Sequence, residues 1–258
     1  MLTFRALAIS LALLLCLAQL SWAAEKSATQ TFDSKGVKIS FSAQGKGEPV
    51  VLIHGFFSSA GINWDLPGTS SLLAKDHQVI AMDVRGHGQS DKPTKEEAYG
   101  PELVEDVARL LDHLKIKKAH IVGYSMGGII AAKLLARYPD RALSGTLGGM
   151  GWLREGSIEQ KFFASGGKDG QPVGVCFRNL AKLALTEEEI KSVRAPVLVL
   201  FGDRDFLKRG YTEALQGVRR DWPVIDIGNA DHLSCVFSQQ FKEEIRKWLA
   251  KQEQRLAK

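Results

Sequence analysis

The sequence is poor in cysteine, has no block of like charge, and offers no apolar run long enough to cross a membrane. Each shortage excludes a class of protein. Three cysteines in 258 residues cannot make the dense disulfide framework of a small secreted scaffold, and their spacing fits neither a zinc site nor a redox pair. The net charge of +5, with a pI near 9.0, is the composition that would point to nucleic acid or an anionic membrane if it were clustered. It is not clustered. Bases alternate with acids, as in Lys242-Glu243-Glu244-Ile245-Arg246-Lys247, the pattern of a solvated helix face, so no nucleic-acid partner is expected. The longest apolar stretch, residues 6–20, is interrupted by Ser10 and Gln19 and is shorter than the ~20 residues a spanning helix needs. Internal repeats and low-complexity segments are also missing.

That first apolar stretch has another reading. Arg5 precedes it and Ser21-Trp22-Ala23 follows as a small-x-small cleavage site, so residues 1–23 predict a secretory signal and a secreted or periplasmic protein with no stable membrane insertion after cleavage. Cys16 follows leucines and lacks the small neighbour that lipid attachment wants. Cleavage leaves Cys176 and Cys235 in a compartment that permits disulfides, and the sequence accommodates either a single bridge or two separate buried thiols. Residues 24–258, in a chain that is 45% hydrophobic and 24% charged, have the composition and length of one large domain.

The order of elements names its class. Gly36-Val37-Lys38-Ile39-Ser40-Phe41 alternates like a half-exposed strand and predicts an antiparallel edge. Pro49-Val50-Val51-Leu52-Ile53 and Gln78-Val79-Ile80-Ala81-Met82 are apolar without alternation, as strands buried on both faces are. Residues 62–76 give a modest helix signal broken by Pro67 and Gly68. Pro101 opens a helix whose Leu103, Val104, Val107, Leu110, Leu111 and Leu114 form one apolar stripe. A further strand runs into Ser125, a helix over residues 126–138 ends before Pro139, and a weaker strand follows around residues 143–147. Strands return at Pro196-Val197-Leu198-Val199-Leu200-Phe201 and Pro223-Val224-Ile225-Asp226-Ile227, and a last helix carries Phe237, Phe241, Ile245, Trp248 and Leu249 on one face. Such alternation predicts an α/β fold, a mostly parallel central sheet with helices on both faces. It breaks over about residues 150–193, which predicts a small cap insertion, with Thr186-Glu187-Glu188-Glu189 as the capping box of one of its helices.

Ser125 sits between that strand and helix in Gly123-Tyr124-Ser125-Met126-Gly127-Gly128. A serine hydroxyl attacks only when a base takes its proton, and a sharp strand-to-helix turn pushes it to where a base can reach. Small residues two positions either side let that turn form. Among the six histidines, His232 follows the last strand in the loop Asn229-Ala230-Asp231-His232-Leu233 and is the expected base. The acid that orients it is expected from Gly202-Asp203-Arg204-Asp205. Asp205 is better placed to reach back to the neighbouring loop, while Asp203 suits backbone capping in the turn. The backbone N–H groups of Phe56, after His54-Gly55, and of Met126, at a helix start, are the expected oxyanion donors. Asp83 and Arg85-Gly86-His87-Gly88 are expected to set loop geometry.

Together His54-Gly55-Phe56-Phe57, Asp83-Val84-Arg85-Gly86-His87-Gly88-Gln89-Ser90, the serine elbow, Gly202-Asp203-Arg204-Asp205 and Asp231-His232 resemble the α/β-hydrolase fold family over about residues 35–250, with nucleophile, acid and base in the family's order. The resemblance implies a serine hydrolase acting on a small-molecule ester through an acyl enzyme at Ser125, with a cap selecting the substrate and no cofactor or metal. Epoxide hydrolases and haloalkane dehalogenases of similar build place an aspartate where Ser125 stands. Carbon–carbon bond hydrolysis, lactone opening and perhydrolysis share the machinery and stay open, as does a noncatalytic ligand-binding protein on the same fold.

Overall fold

A computed structural model describes residues 29–167 and 170–256. The expected export signal lies outside them. Eight strands form one sheet in the order β1-β2-β4-β3-β5-β6-β7-β8. Its core is β3 (Pro49–Ile53), β4 (Gln78–Met82) and β5 (Ala119–Tyr124), all parallel, and β6 (Ala142–Gly148), β7 (Val197–Gly202) and β8 (Val224–Ile227) extend the parallel pairing to one side. Both faces are covered, which explains the unalternating apolar strands. In β3, Val51 and Ile53 enter one apolar cluster while Val50 and Leu52 enter the other.

The antiparallel end of the sheet differs from expectation. The strand read from residues 36–41 is β2 (Lys38–Gln44), and it is not the edge. It pairs with β4 on one side and with β1 (Gln30–Asp33) on the other, both antiparallel. Within β1 only Phe32 is buried, so Gln30-Thr31-Phe32-Asp33 carries no apolar pattern. Its position comes from pairing with β2.

Helices connect the parallel strands. Between β3 and β4 the interrupted signal becomes a π-helical turn (Gly61–Asp65) and α1 (Thr69–Leu73), separated where Gly68 adopts φ +82°. α2 (Pro101–His113) starts at its proline and buries Leu103, Val104, Val107, Leu110 and Leu111 on the same face as α3 (Met126–Arg137). Between β6 and β7 lie α4 (Ile158–Ser165), α5 (Pro172–Asn179) and α6 (Glu187–Ser192). α6 begins at the expected capping box, in which Thr186 and Glu189 exchange side chain to backbone hydrogen bonds. α5 buries Val175 and Cys176, and the Trp152 indole donates to Leu185 O at 2.7 Å beneath the insertion, whereas α4 buries nothing. α7 (Lys208–Val218) precedes β8, and α8 (Gln239–Leu256) lays Phe241, Ile245, Trp248 and Leu249 against the second face. Cys176 and Cys235 are separate, free and buried. Burial pushes each thiol up to about 12.

Candidate active site

The chain turns sharply at Ser125, whose φ of 52° and ψ of −115° lie where side-chain-bearing residues are rarely found. Two glycines permit it. A Cβ on Gly123 would stand 2.0 Å from Gly127 O, and one on Gly127 would stand 2.0 Å from Ile53 O. The elbow therefore packs backbone to backbone, both across its own turn and against the end of β3. Ser125 N donates to Gly148 O at 2.7 Å, fixing the turn to β6 as well.

Side chains from the loops after β7 and β8 meet at this serine. His232 Nε2 lies 2.9 Å from Ser125 Oγ, and His232 Nδ1 lies 2.8 Å from Asp205 Oδ2. Asp205 is buried and its other oxygen accepts the Leu207 N–H at 2.9 Å. An ionised carboxylate accepts only, so the His232 Nδ1 carries the proton and Nε2 presents its lone pair to the hydroxyl. Asp203 serves backbone, as expected of it, and reaches beyond its own turn. Its Oδ1 accepts the Ala230 N–H at 3.0 Å, tying the histidine loop to the end of β7, and the N–H groups of Asn229 and Ala230 hold its carboxyl below the usual range. Asp231 turns away from the histidine and accepts from Leu233 N, Ser234 N and Ser234 Oγ.

Three groups to which the sequence assigned no role of their own position the site. The Tyr124 hydroxyl donates to His232 O at 2.6 Å, linking the strand that carries the serine to the loop that carries the histidine. Its ring fits because Gly148 and Gly149 are bare: a Cβ on either would meet the tyrosine within 3.0 Å. Asn63 Oδ1 accepts the Gly55 N–H at 2.7 Å, and Gly55 lies so close that an added Cβ would meet Ser125 Cβ at 3.3 Å. His54 is fully buried, and its Nε2 accepts the Val84 N–H at 3.0 Å, so its proton is on Nδ1, 2.7 Å from Gly55 O. Burial, then the neighbouring His87, lowers its pKa to about 4 and keeps it neutral. With Gly55 pinned from both sides, the next N–H, that of Phe56, has no acceptor among the described residues, and neither has that of Met126 at the first turn of α3.

Asp83 and Arg85 organise the loop beside this. Asp83 accepts from Ala60 N and from Gln89 N, both at 2.8 Å. Arg85 reaches inward to Asp106 of α2 with bonds of 2.6 and 2.5 Å.

A strained serine after the central strand of an eight-stranded, mostly parallel sheet, with acid and histidine following on later loops, defines the α/β-hydrolase fold. Residues 48–155 match the family model described as alpha/beta hydrolase fold. Over 126 residues the chain is 38% identical to the dihydrolipoyllysine-residue acetyltransferase component of the acetoin cleaving system of Pseudomonas putida, covering 48% of this chain and 33% of that one. Over 110 residues it is 36% identical to the 2-hydroxymuconate semialdehyde hydrolase of Pseudomonas sp. (strain CF600), covering 41% and 38%. The matches thus span about a third of the length of these curated relatives. Among solved structures, a malate-bound thermophilic esterase from Thermogutta terrifontis aligns with a TM-score of 0.71 at 23% identity over 88% of this chain and 99% of that chain, a likeness of fold. The chain has the α/β-hydrolase fold, and the part that matches the family model, residues 48–155, carries the serine elbow.

Proposed function

We propose that the protein is an exported serine hydrolase that cleaves a small carboxylic ester through an acyl enzyme on Ser125. One observation carries the reading: a hydrogen-bonded relay from Asp205 through His232 ends 2.9 Å from a serine hydroxyl held in a strained turn. Ser125 Oγ attacks the carbonyl carbon while His232 Nε2 takes its proton. The carbonyl oxygen becomes an oxyanion within reach of the Phe56 and Met126 N–H groups, which need no rearrangement to receive it. His232 then gives the proton to the alcohol oxygen as the ester bond breaks, leaving acyl-Ser125. Water enters, loses a proton to His232, attacks the acyl carbon, and the serine leaves with that proton. Asp205 keeps the imidazole in the required tautomer and faces its positive charge when it forms.

Carbon–carbon bond hydrolysis by the same groups is the second reading, favoured by the 36% identity to the 2-hydroxymuconate semialdehyde hydrolase. A fluorophosphonate probe and a panel of esters with graded acyl length test the first. Wild type should label and turn over esters. Ser125→Ala should not label and should lose turnover by about four orders of magnitude or more. Labelling without ester turnover shifts the case to the second reading, and a folded wild type that does not label is a binding protein on this fold. Export is tested by the N-terminal sequence of the mature protein, which the signal places after Ala23.

A further inference from the structure

Five of the nine large apolar side chains that stand exposed among the described residues belong to the rim of this site: Phe57, Ile158, Phe162, Phe206 and Leu233. Four of them, Phe57, Ile158, Phe206 and Leu233, are 79–82% exposed. Their segments are far apart in sequence, in the loops after β3, β7 and β8 and in the insertion after β6, and share only the carboxyl edge of the sheet. Ring contacts tie the aromatic members to the chemistry from both sides, and Ile158 lies one turn before Phe162 in α4. The Phe206 ring is 6.1 Å from that of His232, and Leu233 is the next residue in the chain. On the other side the Phe57 ring is 4.5 Å from Phe56, Phe56 is 5.4 Å from Phe177, and Phe177 is 5.6 Å from Phe162. Phe57 is also held at φ +55°, in the left-handed region, with its ring directed to solvent.

Scattered exposed apolar residues need no explanation, but a set gathered around one opening does. We propose that this rim docks on an electrically neutral lipid surface and that the ester is taken from it. The proposal rests on the serine hydrolase reading and names the state in which its substrate is presented. Two observations choose the occupant. The side chains bracket Ser125 and His232, so a folded partner or second copy seated across them would obstruct the nucleophile, whereas a fluid lipid surface lets an acyl chain pass between them. Among the described residues the charges beside the rim are mixed in sign, Glu159 and Lys161 two positions apart in α4 and Asp203 next to Arg204 after β7, and they make no basic patch that would select an anionic surface. Apolar insertion is left as the driving force, and it is insensitive to salt.

The test uses the full chain carrying Ser125→Ala, so that binding is read without turnover, in flotation with phosphatidylcholine vesicles. It should float with them equally in low and high salt. Adding Phe57→Asn, Ile158→Ser and Phe162→Ser should weaken partitioning by about a hundredfold. On the wild-type background the same three substitutions should leave fluorophosphonate labelling and turnover of a dissolved short ester unchanged, which also shows that the variant folds, while abolishing the rise in rate above the solubility limit of a longer ester. No flotation, flotation only with anionic vesicles in low salt, or a concentration-dependent dimer that the rim variant lacks would each overturn the proposal. If wild type neither labels nor cleaves the dissolved ester while Ser125→Ala still floats, it is the hydrolase reading that fails and the lipid surface that survives.

Discussion

At the scale of single residues, the proposed mechanism separates groups that take part in chemistry from groups that aim them. Asp205 and Asp203 are two residues apart, yet one accepts from the His232 ring and the other from the Ala230 backbone. Asp205→Asn should therefore lower kcat by about four orders of magnitude, as loss of the orienting carboxylate does in serine hydrolases with this relay. Asp203→Asn should retain most of the turnover. Kinetics of the two variants on one ester decide it, and equal losses would mean that the loop tie, not the relay, dominates. Tyr124 is a positioning residue, since its hydroxyl meets the carbonyl of His232 and the Cys235 thiol rather than the reacting atoms. Tyr124→Phe keeps the ring between Gly148 and Gly149 but frees that carbonyl. The expected result is a several-fold fall in kcat and in the rate of fluorophosphonate labelling, an unchanged KM, and a stability cost of about 1 kcal/mol, the net worth of one hydrogen bond. A fall in melting temperature with no change in labelling rate would make Tyr124 a core residue and nothing more.

At the scale of elements, the loop after β4 is fastened to α2 by the buried pair Arg85–Asp106, and Ser34, from the β1–β2 turn, donates to the same carboxylate at 2.5 Å. Three elements meet at one desolvated charge. Arg85→Leu leaves the buried Asp106 with only the more distant Arg109, 3.7 Å away, which should cost about 3 kcal/mol, the low end for a broken buried pair. Urea unfolding of that variant measures it, and a double variant Arg85→Leu/Asp106→Leu should recover much of the loss if the uncompensated charge is the cause. The same pair shows what the sequence made legible. Arg85 could be assigned to loop geometry from Asp83-Val84-Arg85-Gly86-His87-Gly88, because glycines and charges in that arrangement belong to a turn. Its partner 21 residues away could not, since Asp106 lies within the helix pattern as one polar position among several. Buried strands, the helix stripe of α2 and the serine elbow were legible because each writes its environment into consecutive residues. β1 was not, having one apolar residue and a place defined by its neighbour. Tyr124, Asn63 and His54 escaped for the same reason: their partners are brought to them by the sheet.

Across the whole molecule, the buried histidines set how stability depends on pH. His54 near the site and His120 at the start of β5 are both fully buried, and their pKa values fall from 6.5 to about 4, chiefly through desolvation and then through the charges of His87 and His77 respectively. His87 is lowered as well, again by burial first. Each is neutral in the folded protein at a pH where the unfolded chain already binds a proton. Stability is therefore complete above the unfolded value of 6.5 and declines as the pH falls towards 4, because protonation favours the unfolded state throughout that window. For a shift from 6.5 to about 4 the loss reaches roughly 3 kcal/mol per group, at 1.36 kcal/mol per unit. Carboxylates with depressed values, such as Glu102 held down by Arg109 against the effect of burial, add their own loss only at lower pH, near and below the ordinary 4.5. The two windows can be told apart by melting the protein in steps from pH 7.5 to 4. Melting temperature should decline already between pH 6.5 and 5, before carboxylates titrate. His120 can be removed with its partner, since its Nδ1 faces only Ser144 Oγ at 2.8 Å and its Nε2 is buried without a hydrogen bond among the described residues. His120→Leu/Ser144→Ala should flatten the slope in that upper window by about one proton's worth, leaving His54 and His87 to carry the remainder. A wild type whose melting temperature stays level from pH 7.5 to 5 would mean that these imidazoles gain protons in the folded protein as readily as in the open chain, and that the neutral, Nδ1-protonated His54 assigned beside the oxyanion loop is wrong.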